Sequence, residues 1–242
     1  MWDEATAAVY DDEAAEMFAA EVVNPAVSRL AGLAADGRAL EFAIGTGRLA
    51  IPLMRSGVSV AGIELSPAMV TQLRQKIGED ELPVVVGDMA TSEVPGEFSL
   101  VYVAWNSISN LRTQAEQVQC FRNAALHLSA GGHFVVELFV PPLRRLVPGQ
   151  VAVPFDVSED HTGFDTFDIV DQACTSHHYT RLSDGSIRYD AGHFRYIWPA
   201  ECDLMAQLAG LELTERFGDW DGSPFSAESD KHVSVWRKAA SS

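Results

Sequence analysis

Glu41-Phe42-Ala43-Ile44-Gly45-Thr46-Gly47-Arg48 decides how this chain is read. The apolar pair Ala39-Leu40 precedes it, and the helix-like run Leu49-Ala50-Ile51-Pro52-Leu53-Met54 follows. The stretch therefore predicts a strand, a glycine turn and a helix start. Glycines let the backbone approach a ligand closely, and a helix N-terminus offers unpaired N–H groups to an anion. Glu41 adds a carboxylate just before the turn, with the opposite preference, for a cation. A ligand that carries both a carboxylate and a positive charge suits such a site. The same residues also satisfy Gly45-x-Gly47-x-x-Ala50, the dinucleotide fingerprint in its alanine form, so a nicotinamide cofactor is a rival reading. Glu41 speaks against that rival, because a pyrophosphate is repelled by a nearby carboxylate.

Outward from this turn the chain alternates strand and helix. Strands are expected at 39–43, 58–64, 83–87, 98–104 and 133–140, and helices at 47–55, 67–77 and 113–129. Ser66-Pro67 opens the second helix with a cap and a proline at its first position, and Thr113-x-x-Glu116 matches a capping box. Asn24-Pro25 reads as a cap and first-turn proline of an earlier helix. Largely apolar strands alternating with helices predict a doubly wound, mainly parallel sheet covered on both faces, an α/β fold. The alternation stops after Pro141-Pro142. Asp184-Gly185 then separates two β-rich runs, 175–183 and 186–197, as a hairpin signal. It resumes with a helix from Pro199 to Ala209, Gly210 as the residue that ends it, and strands 211–217 and 232–237, read as antiparallel neighbours. The expected division is an N-terminal helical segment over 1–38, a cofactor-binding core over 39–142 and 199–242, and a β-rich insertion or lid over 143–198.

Three more stretches fall where strands should end. Glu64, in Gly62-Ile63-Glu64-Leu65-Ser66, stands about 20 residues past the glycine turn, where an acidic residue accepts both hydroxyls of a ribose. Asp88, in Val86-Gly87-Asp88-Met89, can accept from an adenine amino group while Met89 packs on the ring. Ala104-Trp105-Asn106-Ser107 follows the fourth strand, where Trp105 can wall a pocket and Asn106 can orient a polar atom. Ligands of open α/β sheets bind at these carboxyl ends.

In this order and spacing the chain resembles class I S-adenosylmethionine-dependent methyltransferases of the small-molecule type. The family pattern Glu/Asp-x-Gly-x-Gly-x-Gly falls on Glu41, Ala43, Gly45 and Gly47, with Ala43 in place of the first glycine. Val60-x-Gly62-Ile63-Glu64-Leu65-Ser66-Pro67-x-Met69 resembles the family's second block, and Ala130 to Glu137 the approach to its fifth strand. Tyr10-Asp11 is similar to a Tyr-Asp pair that closes over the cofactor in many members. The resemblance implies a Rossmann-like seven-stranded sheet and S-adenosyl-L-methionine as cofactor. It places cofactor contacts on Tyr10, Glu41, Ala43, Gly45, Thr46, Gly47, Glu64, Leu65, Met69, Gly87, Asp88, Met89, Ala104, Trp105 and Asn106. The implied reaction is methyl transfer to a nucleophilic N or O of a small molecule. The Asn/Asp-Pro-Pro-Tyr run of nucleobase and amide methyltransferases is missing at 104–107. Two other readings stay open: an NAD(P)-dependent oxidoreductase, and a non-catalytic regulatory protein that binds a nucleoside cofactor.

A general base, where the acceptor needs one, is sought in the insertion. His177-His178-Tyr179 lies in an expected strand, so His177 and His178 point to opposite faces and one faces a cleft. No Lys or Arg occurs between Arg145 and Arg181, whereas six acidic residues do, which would attract a cationic substrate or simply hydrate the loop. The net charge of −17 over 242 residues opposes a nucleic-acid partner. The three cysteines show neither metal-ligand spacing nor a disulfide framework, so no metal is expected and a cytoplasmic setting is. The N-terminus is acidic, without an apolar targeting core, and no apolar run reaches membrane-spanning length. The insertion leaves a homodimer open.

Overall fold

A computed structural model describes residues 3–240. Met1, Trp2, Ser241 and Ser242, which the segments drawn from sequence include, lie outside the described residues. Two helices lead the chain, α1 (Glu4–Glu13) and α2 (Ala20–Ala34). Then come β1 (Arg38–Phe42), α3 (Ala50–Arg55), β2 (Ser59–Glu64), α4 (Pro67–Arg74), β3 (Val84–Val86), β4 (Phe98–Val103), α5 (Gln114–His127) and β5 (Leu128–Phe139). Four strands follow: β6 (Ala152–Val157), β7 (His161–Asp168), β8 (Ala173–Arg181) and β9 (Ile187–Arg195). The chain finishes with α6 (Pro199–Leu208), β10 (Leu211–Phe217) and β11 (Lys231–Lys238).

Seven strands form one sheet in the order β10-β11-β5-β4-β1-β2-β3. The pairings from β5 through β3 are parallel, and β11 runs antiparallel to both β5 and β10. Side-chain alternation splits the core in two. Leu40, Phe42, Val101, Val103, Phe134 and Trp236 meet α5 and α6 on one face. Ala39, Leu100, Tyr102, Val135 and Val233 meet α2 and α3 on the other. Both faces being covered explains why these strands read as nearly unbroken apolar runs.

The expected caps are present at two helices. Ser66 accepts from the Met69 N–H ahead of Pro67 at the head of α4, and Thr113 and Glu116 form a reciprocal capping box on α5. Gly210, with φ of +75°, follows α6 in the left-handed conformation that ends helices. The reading of Asn24-Pro25 is corrected. Helix α2 begins at Ala20, and Pro25 lies inside it. The carbonyl of Ala19 takes the N–H groups of Val22 and Val23, so the helix nucleates one turn before the proline. There the ring costs a hydrogen bond inside a continuous helix. Helix α4 also stops three residues short of the expected 77, and β5 starts at Leu128, earlier than expected, because Leu128 already pairs with Phe98.

Strands β6–β9 form a separate antiparallel sheet in sequential order, with Gly185 at φ +84° in the hairpin between β8 and β9. Its foot is anchored by a buried polar knot. Arg195, 6% exposed, donates to Gln117 Oε1 (2.5 Å) on α5 and to Glu201 Oε1 (2.7 Å) on α6, and Gln172 donates to the other Glu201 oxygen (2.8 Å). The small sheet therefore stands over the carboxyl ends of the parallel strands. Among the described residues no helix is long and apolar enough to cross a membrane. Replacing Pro25 restores a missing helix hydrogen bond, so Pro25→Ala should raise the unfolding free energy by about 1–2 kcal/mol. That is part of the ~3 kcal/mol helix penalty, less the loosening of the unfolded chain. Urea denaturation measures it; an unchanged or lower value would mean that the proline ring is needed by its neighbours.

Candidate functional site

The ends of β1, β2 and β3 lie side by side, with Glu41 paired to Gly62 and Glu64 to Val86. Glu64, 6% exposed, accepts the Gly45 N–H (2.8 Å) on one oxygen and the Ser66 N–H (2.8 Å) on the other. One carboxylate thus ties the glycine turn after β1 to the turn after β2. Each oxygen keeps lone-pair capacity for a further donor. Burial raises the Glu64 pKa, and the N–H groups of Ser66, Gly45 and Leu65 work against that rise.

The glycine turn is left-handed at several points. Gly45 has φ of +57° and Gly47 +86°, and a Cβ at Gly47 would sit 2.6 Å from Leu73 Cδ1. Ala43 shares the left-handed region at +54°, so the alanine in the family's glycine position carries strain as well as a methyl group. Met69 lies near Gly45, while Leu65 is half exposed. Thr46 donates to Asp11 Oδ1 (2.5 Å), Lys76 pairs with the other Asp11 oxygen, and Lys76 Nζ also donates to the Thr46 carbonyl (3.0 Å). Helix α1 is thereby latched across the turn. Tyr10, its neighbour, is raised in pKa by burial and feels Arg48, Asp11 and Glu64.

Glu41 lies deeper. Tyr102 donates its hydroxyl to Glu41 Oε2 (2.9 Å), and both side chains are buried. Burial pushes the Glu41 carboxyl from an ordinary value of 4.5 up to about 8, against the hydrogen bond from Tyr102, the positive charge of Arg48 and the Ala50 N–H. Glu41 is thereby held toward its neutral, protonated form. Asp88 accepts the Ala90 N–H (2.8 Å) just beyond β3, next to Gly87, where a Cβ would lie 2.1 Å from Ser92 Oγ. Met89 is packed in the core cluster under α5.

After β4, Ala104 is buried, and Trp105 and Asn106 are both left-handed, at φ +53° and +58°. The Trp105 N–H reaches Glu137 Oε2 (2.9 Å), and the Arg48 guanidinium lies 5.5 Å from the Trp105 ring centre. His177 and His178 are held within the small antiparallel sheet. His178 contacts His161 Nε2 (3.1 Å) and Ser176 Oγ (3.1 Å), whereas His177 contacts Thr166 Oγ1 (3.0 Å) and Tyr189 OH (2.8 Å). They occupy opposite faces, and both ring nitrogens of each already have a partner. Burial and His161 lower the His178 pKa.

The sequence reading did not single out Arg48, Lys76, Glu137 and Lys231 as site residues. Arg48 stood next to the glycines, and Glu137 closed a quoted strand. Lys76 and Lys231 carry no local signal.

The sequence pattern of a methyltransferase domain matches residues 39–132. The chain is similar to the cypemycin N-terminal methyltransferase of a Streptomyces species, 28% identical over 94% of this chain and 96% of that protein. It is also similar in structure to the CcbJ methyltransferase from Streptomyces caelestis, with 37% identity, 89% of each chain covered and a TM-score of 0.80. The amino pentose methyltransferase CalS10 from Micromonospora echinaspora, at 20% identity and a TM-score of 0.71 over 90% of this chain and 91% of that one, shares the fold.

Two outcomes follow from the geometry. Between an ordinary carboxyl value of 4.5 and about 8, native Glu41 keeps a proton that the unfolded chain has released. Its contribution to stability is therefore complete below the lower value and lost as pH rises through the upper one. Glu41→Gln removes that dependence, so in ligand-free protein its stability relative to the parent should climb from about pH 5 to about pH 8. Urea denaturation at intervals across that range reads it; a flat difference refutes the protonated carboxyl. Ala43→Gly should stabilise by about 0.5–1 kcal/mol, since ~1–2 kcal/mol of left-handed strain exceeds the added freedom of glycine. A lower thermal midpoint would show that the strain at this position is not real.

Proposed function

We propose that this chain, which belongs to the class I S-adenosylmethionine-dependent methyltransferases, transfers its methyl group to an amine nitrogen of a small molecule. When bound, S-adenosylmethionine supplies an electrophilic sulfonium methyl whose leaving thioether needs no protonation. The donor set fits that cofactor. It has an ammonium, a carboxylate, a ribose diol and an adenine, and the rim offers carboxylates on three successive strands together with the amides of a left-handed glycine turn. Glu41 would face the cation, Gly45 and Gly47 would let the backbone approach, Glu64 would accept from the ribose, and Asp88 would accept from the base. Tyr10 and Thr46, latched through Asp11, would cover the cofactor, with Met69 and Leu65 beside it and Trp105 and Asn106 toward the acceptor.

The single observation that carries this reading is Glu64 held by Gly45 and Ser66 N–H groups, because it pre-orients a carboxylate at the junction of two strand ends. Nitrogen is favoured as the acceptor on two grounds. The relative at 28% identity is named for methylating an N-terminus. His177 and His178 also have both ring nitrogens occupied, which leaves neither poised as a base and suits an amine better than a hydroxyl. A neutral amine attacks without a base and sheds its proton afterwards, whereas a hydroxyl needs a base, worth about 10²–10⁴-fold. In this reading His177 and His178 brace the lid. The acidic stretch between Arg145 and Arg181 attracts the protonated amine before it docks, and the amine gives that proton to solvent water before it attacks in its neutral form.

Purified protein with S-adenosylmethionine and paired probes, an amino sugar with its parent sugar and a peptide with a free or acetylated N-terminus, tests the acceptor. Methylation of the free amines alone, read by mass spectrometry, is the expected result; methylation confined to hydroxyl-bearing partners refutes it. Glu64→Ala and Asp88→Ala should each weaken S-adenosylhomocysteine binding by about 1–3 kcal/mol, roughly 5–150-fold, in calorimetry. Parental affinity in both would mean that the site is misplaced.

A further inference from the structure

Glu137 stands at the carboxyl end of β5, only 3% exposed, and none of the cofactor roles above uses it. We propose that Glu137 is the positioning residue that holds the Trp105–Asn106 turn in its left-handed form and so fixes the wall between the cofactor cleft and the lid. The contacts are reciprocal. Glu137 Oε2 accepts the Trp105 N–H (2.9 Å), and the Glu137 carbonyl accepts the Asn106 N–H (3.2 Å). Asn106 Oδ1 in turn accepts the Phe139 N–H (3.3 Å). Strand β5 therefore grips both residues of the turn from two alternate positions, 137 and 139.

The turn needs that grip. Two consecutive non-glycine residues at φ +53° and +58° are disfavoured by Cβ–carbonyl crowding, and such conformations persist only where the surroundings over-determine them. The wall that results is aromatic. Trp105 and Phe139 meet edge to face at 5.6 Å, both partly open to solvent, and the Arg48 guanidinium lies 5.5 Å from the Trp105 ring centre. Arg48 also acts electrostatically on Glu41, so one side chain links the buried carboxyl of β1 to this wall. The Glu137 carboxylate is balanced by Lys231 (4.0 Å), which is itself paired to Asp219 (2.7 Å) in the loop between β10 and β11. The clamp thus draws on β4, β5 and the start of β11, which lie side by side in the sheet.

A carboxylate is the suitable group because it accepts from a backbone N–H while carrying no hydrogen of its own that needs an acceptor, and the bond is charge-assisted. Gln can accept the same N–H through its carbonyl oxygen; Ala cannot. This makes the conservative variant a discriminating control. The inference rests on the cofactor cleft proposed above, and the two are read by separate signals.

The protein is labelled with 5-fluorotryptophan, and the Trp105 resonance among its five tryptophans is identified by its loss in Trp105→Phe. In Glu137→Ala the Trp105 resonance should move and broaden while that of Trp236, fully buried in the core, stays in place, which shows that the fold survives. S-adenosylhomocysteine affinity should fall about 5–20-fold, corresponding to ~1–2 kcal/mol. Glu137→Gln should return both signals to near the parental values. A Trp105 resonance unmoved in Glu137→Ala overturns the clamp, as does a Glu137→Gln protein as perturbed as the alanine variant. Failure of the parental protein to bind S-adenosylhomocysteine refutes the cleft instead, whatever the resonance does.

Discussion

The carboxylate of Glu64 joins two chain reversals, at Gly45 and Ser66, and the rest of the site is arranged around that junction. A strand end in an open sheet leaves its following loop free to wander. Here the loop after β1 and the loop after β2 each give one N–H to the same buried group. Hydrogen bonds to an ionised acceptor are the stronger kind, and in a site with little water they resist reorientation. The glycine turn is thereby fixed in one conformation relative to the turn after β2.

Around that junction the molecule accumulates conformations and charges that a core designed only for stability would avoid. Glu41 is buried beside Tyr102 and prefers to stay protonated. Ala43, Trp105 and Asn106 occupy left-handed backbone without being glycine. These departures concentrate at the carboxyl ends of β1 and β4, while the core beneath is apolar and closely packed, as where Phe121 of α5 meets Phe134 and Trp236 of the sheet, with ring centres 5.0–6.2 Å apart. Such a division, a regular core under an irregular and partly strained rim, is what a binding site set on a rigid scaffold requires.

Much of this was legible in the chain. The period of apolar residues marked the strands, and Ser66-Pro67, Thr113-x-x-Glu116 and Gly210 marked helix ends, because caps act through residues adjacent in sequence. Asn24-Pro25 misled for the same reason: the local preference for a cap lost to an upstream turn closed on the carbonyl of Ala19, for which the sequence has no strong signal. The acids at 41, 64 and 88 could be found because parallel strands bring their carboxyl ends to one edge, whatever the intervening helices do.

The sequence by itself determined the strand–helix alternation, the sheet class, the glycine turn and the three acids at its rim, since each depends on residues within a few positions of one another or on the fixed geometry of a parallel sheet. Only the tertiary structure decided that Asp11 latches Thr46 and Lys76, that Arg48 faces Glu41 and Trp105, and that Glu137 holds the turn after β4. It likewise decided that His177 and His178 spend their nitrogens within the small antiparallel sheet. Apart from Arg48 with Glu41 and His178 with Ser176, these contacts join residues 11 to 65 positions apart, on elements whose relative placement is set by packing. No local preference encodes which distant side chain will arrive to satisfy a given buried donor or charge.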